Sequence, residues 1–125
     1  DLMYETLQRI DDVNPTLNAV VSLHQADVQN NDYDGLMDEA RCADELLDAA
    51  AAEADDDDSN NYMISSNDCW LRGIPMAIKD LEDAKGFPTT KGSPLFRTIN
   101  AVQDVPYVQR LRNAGAIIIG KTKCT

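Results

Sequence analysis

Hydrophobic residues near the start of the chain recur every three or four positions, with acids and amides between them. This spacing predicts an amphipathic helix over residues 2 to 12. Its apolar face consists of Met3, Leu7 and Ile10. We expect Asn14-Pro15 to end the helix, because the residue before a proline disfavours helical backbone. The β-branched run over residues 17 to 23 is predicted to be extended.

A second stretch with helical spacing covers residues 35 to 53, and Asp34 is placed to cap its first turn. The apolar face of this helix consists of Leu36, Ala40, Ala43, Leu47 and Ala50. The opposite face carries Asp38, Glu39, Asp44, Glu45 and Asp48, which we expect to face solvent. Residues 1 to 54 are therefore predicted to form a helical arm.

The pattern changes to that of an α/β protein in the second half of the chain. Ile74 to Lys79 alternates in the period of two that is typical of a strand, and the short apolar run Ala116 to Gly120 is predicted to be a buried strand. Between them lies a helix with Asp104 as the predicted N-cap, Pro106 in its first turn and Gly115 at its end. A strand, helix, strand order predicts a βαβ unit with parallel strands. The predicted fold class is α/β, with the helical arm followed by a mixed, largely parallel sheet.

Charge divides the chain in the same place. The net charge is −11, but residues 1 to 69 carry 18 of the 22 acids and two of the 11 bases. We interpret residues 55 to 69 as an acidic, polar linker and residues 70 to 125 as an α/β core. The acidic half would repel phosphates, and the basic half lacks a clustered stripe, so no direct binding to nucleic acid is predicted. One alternative reading is a non-catalytic module whose acidic residues 34 to 58 dock on a basic partner.

Metal, cofactor and membrane classes receive no support from the sequence. Three separated cysteines show no metal-ligand spacing, and His24 is the single histidine. The run Asp55 to Asp58 lacks the spacing and glycine of a calcium loop, so a solvated loop is favoured. No segment has the length of a transmembrane helix, and the first residues lack the features of a secretory signal, which favours a cytoplasmic protein. The cysteines are Cys42, Cys69 and Cys124.

Lys79 is the candidate for chemistry because it ends an apolar strand and shares a strand face with Ala77. An ammonium group that loses hydration is disfavoured in its charged form, so its pKa falls toward the range in which a neutral amine accepts protons. On spacing alone, a lysine that reaches water from the end of a strand explains the pattern as well.

Gly115 to Thr122 reads GAIIIGKT and satisfies the phosphate-loop pattern GxxxxGK[ST], with Gly120, Lys121 and Thr122 as the nucleotide-binding residues. The mechanism needs a strand before the first glycine and a flexible cradle between the glycines. Here a predicted helix precedes Gly115, and an Ala-Ile-Ile-Ile run that favours a strand fills the cradle. Nucleotide binding is therefore the weaker alternative.

Three segments together resemble the N-terminal portion of the amidase signature family. Residues 71 to 80 read LRGIPMAIKD, residues 85 to 93 read KGFPTTKGS, and residues 108 to 122 read VQRLRNAGAIIIGKT. Residues 14 to 19, NPTLNA, resemble the segment that follows the first helix in these enzymes. Three blocks in the right order are far more specific than any one of them. The resemblance implies a fragment of a larger amidase-type fold.

The resemblance also implies hydrolysis of linear amides, or transfer of the ammonia released from them, through a Ser, cis-Ser, Lys triad. It assigns Lys79 as the general base, a small amide as substrate and no cofactor. Both serines belong to a Gly/Ser-rich block that the family carries after the GKT strand. No serine of this chain lies in such surroundings, so we expect the 125 residues alone to be inactive and to associate with the rest of the enzyme or with other copies. The serines are Ser22, Ser59, Ser65, Ser66 and Ser93.

Two positions depart from the family pattern. Lys91 stands where family members often have a small residue, which is expected to alter the loop beside the site. Residues 123 to 125 also differ from the usual continuation of the GKT strand. Fragment status further predicts apolar surface that stays uncovered in this chain.

Overall fold

A computed structural model describes residues 2–23, 33–52 and 69–124 of the chain. The helices in these ranges are α1 (Leu2–Leu17), α2 (Asp34–Ala52) and α3 (Pro106–Asn113), with a short 3₁₀ helix at Pro94–Phe96. The strands are β1 (Val20–Leu23), β2 (Pro75–Lys79) and β3 (Ile117–Thr122). No helix in the described ranges has the length and apolar character needed to cross a lipid bilayer. The predicted α/β fold class is confirmed.

The three strands form one mixed sheet in the order β1-β3-β2. β2 and β3 are parallel, as the strand, helix, strand order predicted, and β1 pairs with β3 in the antiparallel direction. The pairing of β2 with β3 contains a register shift between Met76 and Ala77, so that Met76 lies opposite Ile118 but Ala77 lies opposite Gly120. An extra residue in one strand breaks the simple alternation of side chains between the two faces.

Strand β3 is central because both of its faces are covered. On one face α1 and α2 contribute to a cluster whose buried members are Met3, Leu7, Leu36, Ala40, Ile117 and Ile119. On the other face α3 and the loop after β2 contribute to a cluster of Ile78, Ala84, Phe87, Val108 and Ile118. A strand that is covered on both faces is expected to be apolar throughout, which explains its Ile-Ile-Ile run.

The predicted end of the first helix is wrong. α1 continues through Pro15 to Leu17 instead of ending before the proline. Pro15 lies in the last turn, where a proline removes few helical hydrogen bonds, and the turn is closed by a 2.7 Å bond from the Asn18 amide to the Asn14 carbonyl. The Asn14 side chain also bonds both backbone polar groups of Val20, at 2.8 and 2.9 Å. The asparagine therefore links the helix to β1.

Asp104 is not the N-cap of α3, in contrast to the prediction. The cap position is Val105, which makes no side-chain capping bond, and Pro106 begins the helix as expected. The Asp104 carboxylate instead accepts a 2.7 Å bond from the Lys85 amide and pairs with Arg112 Nε at 3.1 Å. Since the carboxylate joins the loop after β2 to the last turn of α3, it is unavailable for capping.

The acidic arm matches the prediction where it is described. α2 begins at Asp34 itself, and its buried residues Leu36, Ala40 and Ala43 lie on the predicted apolar face. The acids on the opposite face, Asp38, Glu39, Asp44 and Glu45, are exposed. Leu47, Asp48 and Ala50 have side chains outside the described part, and so does the run 55 to 58.

Large apolar side chains are exposed along the segment after the 85 to 93 loop. Leu95, Ile99 and Val102 expose 83%, 62% and 86% of their surface. The prediction that this chain leaves apolar surface uncovered is confirmed.

Candidate functional site

Lys79 ends β2 and lies directly beside the central strand, where it pairs with Thr122. Ala77 and Lys79 are both exposed, whereas Ile78 between them is buried. Side chains alternate along a strand, so the predicted shared face of Ala77 and Lys79 is confirmed. The predicted loss of hydration at Lys79 is not found in this chain, because the lysine is exposed.

Backbone bonds hold both sides of the candidate lysine. The Asp80 amide donates to the Thr122 carbonyl at 2.9 Å, and the Glu82 amide donates to the Lys79 carbonyl at 3.1 Å. The first bond continues the parallel pairing with β3, and the second turns the chain away from the sheet. The Cα position of Lys79 is thereby fixed relative to β3.

The loop 85 to 93 folds back onto the end of β2. Its Thr90 donates to the Asp80 carboxylate through both its amide, at 2.8 Å, and its hydroxyl. The Lys91 amide donates to the Asp80 carbonyl at 3.0 Å. Lys91 has a φ of +51° and Gly92 a φ of +78°. Lys91 therefore occupies a left-handed conformation that small residues, and glycine above all, adopt with less strain.

Lys121 is the residue whose role the sequence analysis missed. Its side chain is fully buried, at 0% exposure, and its Nζ donates to the Glu82 carbonyl at 2.6 Å, with the Pro88 carbonyl and Thr89 Oγ1 both at 3.4 Å. The carboxylate of Asp80, which is 1% exposed, lies 3.8 Å from Nζ. Burial lowers the pKa of the Lys121 ammonium, and the negative charge of Asp80 opposes that shift.

This geometry overturns the phosphate-loop reading. Ile117 to Thr122 is a strand, so its amides pair with neighbouring strands instead of forming a cradle. A Cβ at Gly120 would collide with the backbone carbonyl of Ser22, which shows that this glycine is needed for close strand packing. The Lys121 amine already binds protein oxygens and is shielded from solvent. A nucleotide phosphate therefore has no access to it.

A polar cleft of about 470 Å³ opens at the carboxyl ends of β2 and β3. Its lining includes Asp80, Thr90, Arg97, Lys123 and Cys124, but not Lys79. The candidate base thus lies outside this cleft.

The other candidate residues are not gathered into one site. Ser22 lies in β1, and Ser93 caps the 3₁₀ helix through a 3.4 Å bond from the Leu95 amide. His24, Ser59, Ser65 and Ser66 fall outside the described residues. In the ranges that the structure covers, no three His, Cys, Asp or Glu side chains are close enough together to hold a metal ion.

Comparison with known proteins agrees with the fold and with the sequence blocks. The family model described as Amidase matches residues 31–125. An amidase of Pseudomonas putida is 52% identical over 52 residues, which is 42% of this chain and 11% of that protein. A glutamyl-tRNA(Gln) amidotransferase subunit of Nitratidesulfovibrio vulgaris (strain DP4) is 33% identical over 121 residues, which is 97% of this chain and 20% of that relative.

A solved structure shows the same architecture. The native peptide amidase of Stenotrophomonas maltophilia superposes with a TM-score of 0.69 and 27% sequence identity, over 98% of this chain and 20% of that enzyme. The chain therefore spans about a fifth of the length of the peptide amidase and of the amidotransferase relative. Because the family match extends over more than half of the residues, the chain belongs to the amidase signature family.

Proposed function

We propose that this chain is the lysine-bearing part of a hydrolase that cleaves linear amide C–N bonds, with Lys79 as the general base. The observation that carries the proposal is the position of Lys79 at the carboxyl end of β2, where β2 runs parallel to the central strand. In open α/β sheets, ligands bind outside the carboxyl ends of such strands. The order of the three sequence blocks and the membership of the amidase family support the same assignment.

The proposed mechanism uses Lys79 with two serines that the remainder of the protein supplies. The neutral amine accepts the proton of a bridging serine in the cis conformation, which takes the proton of the nucleophilic serine as its oxygen attacks the amide carbon. The C–N bond breaks and the protons return to the departing amine or ammonia, which leaves an acyl ester on the serine. Water then attacks the ester, releases the carboxylic acid and restores the serine.

The exposure of Lys79 in this chain is compatible with that role only if further protein covers it. Relatives that match nearly the whole chain are about five times as long, so most of the sheet environment of a complete amidase lies beyond these residues. Ala77, on the same face as Lys79, is small and leaves room for a neighbouring element. We propose that this element removes water from the amine and lowers its pKa.

The test is amide turnover by the complete protein with Lys79 replaced. Ammonia release would be measured with propionamide, benzamide and glutamine, and ring opening with ε-caprolactam as a cyclic amide. Lys79→Ala should lower kcat/KM for the linear amides by about 10²- to 10⁴-fold, the usual contribution of a positioned general base. Activity on ε-caprolactam alone would refute the linear-amide assignment.

Lys85→Ala is the matched control, because Lys85 is also an exposed lysine in the same half of the chain. Its turnover should stay within about twofold of the wild-type value, since surface substitutions have small effects. Circular dichroism of both variants would check that the fold is retained. A Lys79→Ala enzyme that behaves like the Lys85→Ala control would show that Lys79 is not the base.

A further inference from the structure

Asp80 and Lys121 are the two buried charged residues of the described chain, and the proposed mechanism uses neither of them. Removing two charges from water is costly, and a buried pair is often no more stable than apolar residues of similar volume. A buried ion pair is therefore weak evidence for a purely stabilising role. Its position, directly after the candidate base, suggests a different one.

Lys121 connects β3 to the segment that follows Lys79. An ammonium group has three donors, and the oxygens near this one all belong to residues 82 to 89, with the Glu82 carbonyl at 2.6 Å as the shortest contact. Strict alternation would place Lys121 on the face of Ile117 and Ile119, against α1 and α2. The register shift between β2 and β3 offers the physical reason why it contacts the loop after β2 instead.

Asp80 is fixed from several directions at once. Its carboxylate accepts both polar groups of Thr90, its amide donates to the Thr122 carbonyl, and its carbonyl accepts the Lys91 amide. The Lys121 ammonium at 3.8 Å supplies the countercharge. Hydrogen bonds are directional, so this arrangement specifies one position for Asp80 in a way that apolar packing would not.

From these contacts we propose that Asp80 and Lys121 are positioning residues that hold Lys79 in register with its serine partner. The inference rests on the proposed role of Lys79 and adds the device that places it. A general base must lie within about 2.6–3.2 Å of the proton it accepts, and a misplacement of about 1 Å lowers the rate by about 100-fold. Asp80 and Lys121 do not touch the substrate. They act through the backbone at the end of β2.

The test separates positioning from stability by comparing single and double neutral variants of the complete protein. Lys121→Met leaves a buried carboxylate without its countercharge and should lower the urea midpoint of unfolding strongly. The double variant Asp80→Asn with Lys121→Met removes both charges at nearly constant volume and should recover most of that midpoint. If the pair positions Lys79, kcat for benzamide should remain about 100-fold below wild type in the double variant, with KM within about threefold.

A purely structural role predicts the opposite. Activity would then recover together with stability, and a folded double variant with kcat within about threefold of wild type would overturn the inference. Should the double variant not fold, Thr90→Val provides a second measurement, because it keeps both charges and removes the hydroxyl bond to Asp80. It should lower kcat by about tenfold without changing KM, and a wild-type kcat would refute positioning.

Lys79→Ala, assayed in parallel, distinguishes this failure from failure of the proposed function. If Lys79→Ala keeps its turnover, the function assignment is wrong and the pair has no base to position. If Lys79→Ala loses turnover but the folded double variant keeps it, the positioning role alone is wrong. Lys85→Met serves as the control for replacing a lysine by methionine at an exposed site.

Discussion

Replacing Gly115 by alanine should loosen the segment that leads into β2. Gly115 follows α3 with a φ of +93°, and its backbone lies against Arg72. Two hydrogen bonds cross this contact, from the Leu71 amide to the Ala114 carbonyl at 2.8 Å and from the Gly73 amide to the Gly115 carbonyl at 3.0 Å. A side chain at position 115 would therefore disturb both the conformation of the turn and the approach of the two segments.

The expected magnitude has two parts. A left-handed backbone costs a residue with a Cβ about 1–2 kcal/mol. A Cβ at position 115 would also lie 2.7 Å from Arg72 Cα and 2.9 Å from Arg72 N, and these backbone atoms cannot rotate away. Overpacking of this kind costs about 1–3 kcal/mol. We expect Gly115→Ala to destabilise the segment by about 3 kcal/mol in total.

Gly86→Ala is the matched control, because Gly86 has a similar φ of +89° but a Cβ added there would meet no atom within 4 Å. It should show the conformational penalty alone. The assay is amide hydrogen exchange of peptides covering residues 69 to 76 in the complete protein. Gly115→Ala should speed exchange there by about 100-fold, since 1.4 kcal/mol corresponds to a factor of ten, and Gly86→Ala should leave it unchanged. Equal effects of both variants would refute the importance of the close approach.

Two further predictions concern single side chains. Lys91→Gly should raise the free energy of unfolding by up to about 1 kcal/mol in urea denaturation, because φ at this position is +51°; a destabilised variant would contradict the presence of strain. Tyr33 donates to Asp11 Oδ1 at 2.8 Å, and burial, with the Asp11 bond second, raises its pKa to about 12. Because the folded pKa lies above the ordinary value of 10.0, this contribution is present below pH 10 and is lost as pH rises toward 12. Tyr33→Phe should flatten the fall in stability over that window, and an unchanged slope would disprove the link.

Local patterns predicted the elements well where one physical cause dominates. The alternation of Ile74 to Lys79 and the apolar run before Gly120 were sufficient to predict two parallel strands joined through a helix. Where two causes compete, the prediction was wrong. Pro15 suggested a helix end, but the closing bond between Asn18 and Asn14 lets the last turn accommodate it. Asp104 suits a cap, but it is engaged by Lys85 and Arg112, which are distant in sequence.

The candidate site was predicted less completely, for two separate reasons. The burial of Lys121 depends on a register shift between Met76 and Ala77, and a strict period of two contains no sign of that shift. A charged residue at the end of an apolar run was the one available signal, and it was interpreted only as part of a phosphate loop. The hydration of Lys79 depends on protein outside these residues, so no local pattern could determine it.

The central claim is that the neutral amine of Lys79 accepts a proton during amide cleavage. The most direct measurement is benzamide hydrolysis by the complete Lys79→Ala protein with and without added ethylamine. We predict that turnover is lost and is partly restored by ethylamine, with a rate that increases with pH as the neutral amine becomes more abundant. Wild-type turnover by Lys79→Ala without any added amine would contradict the claim.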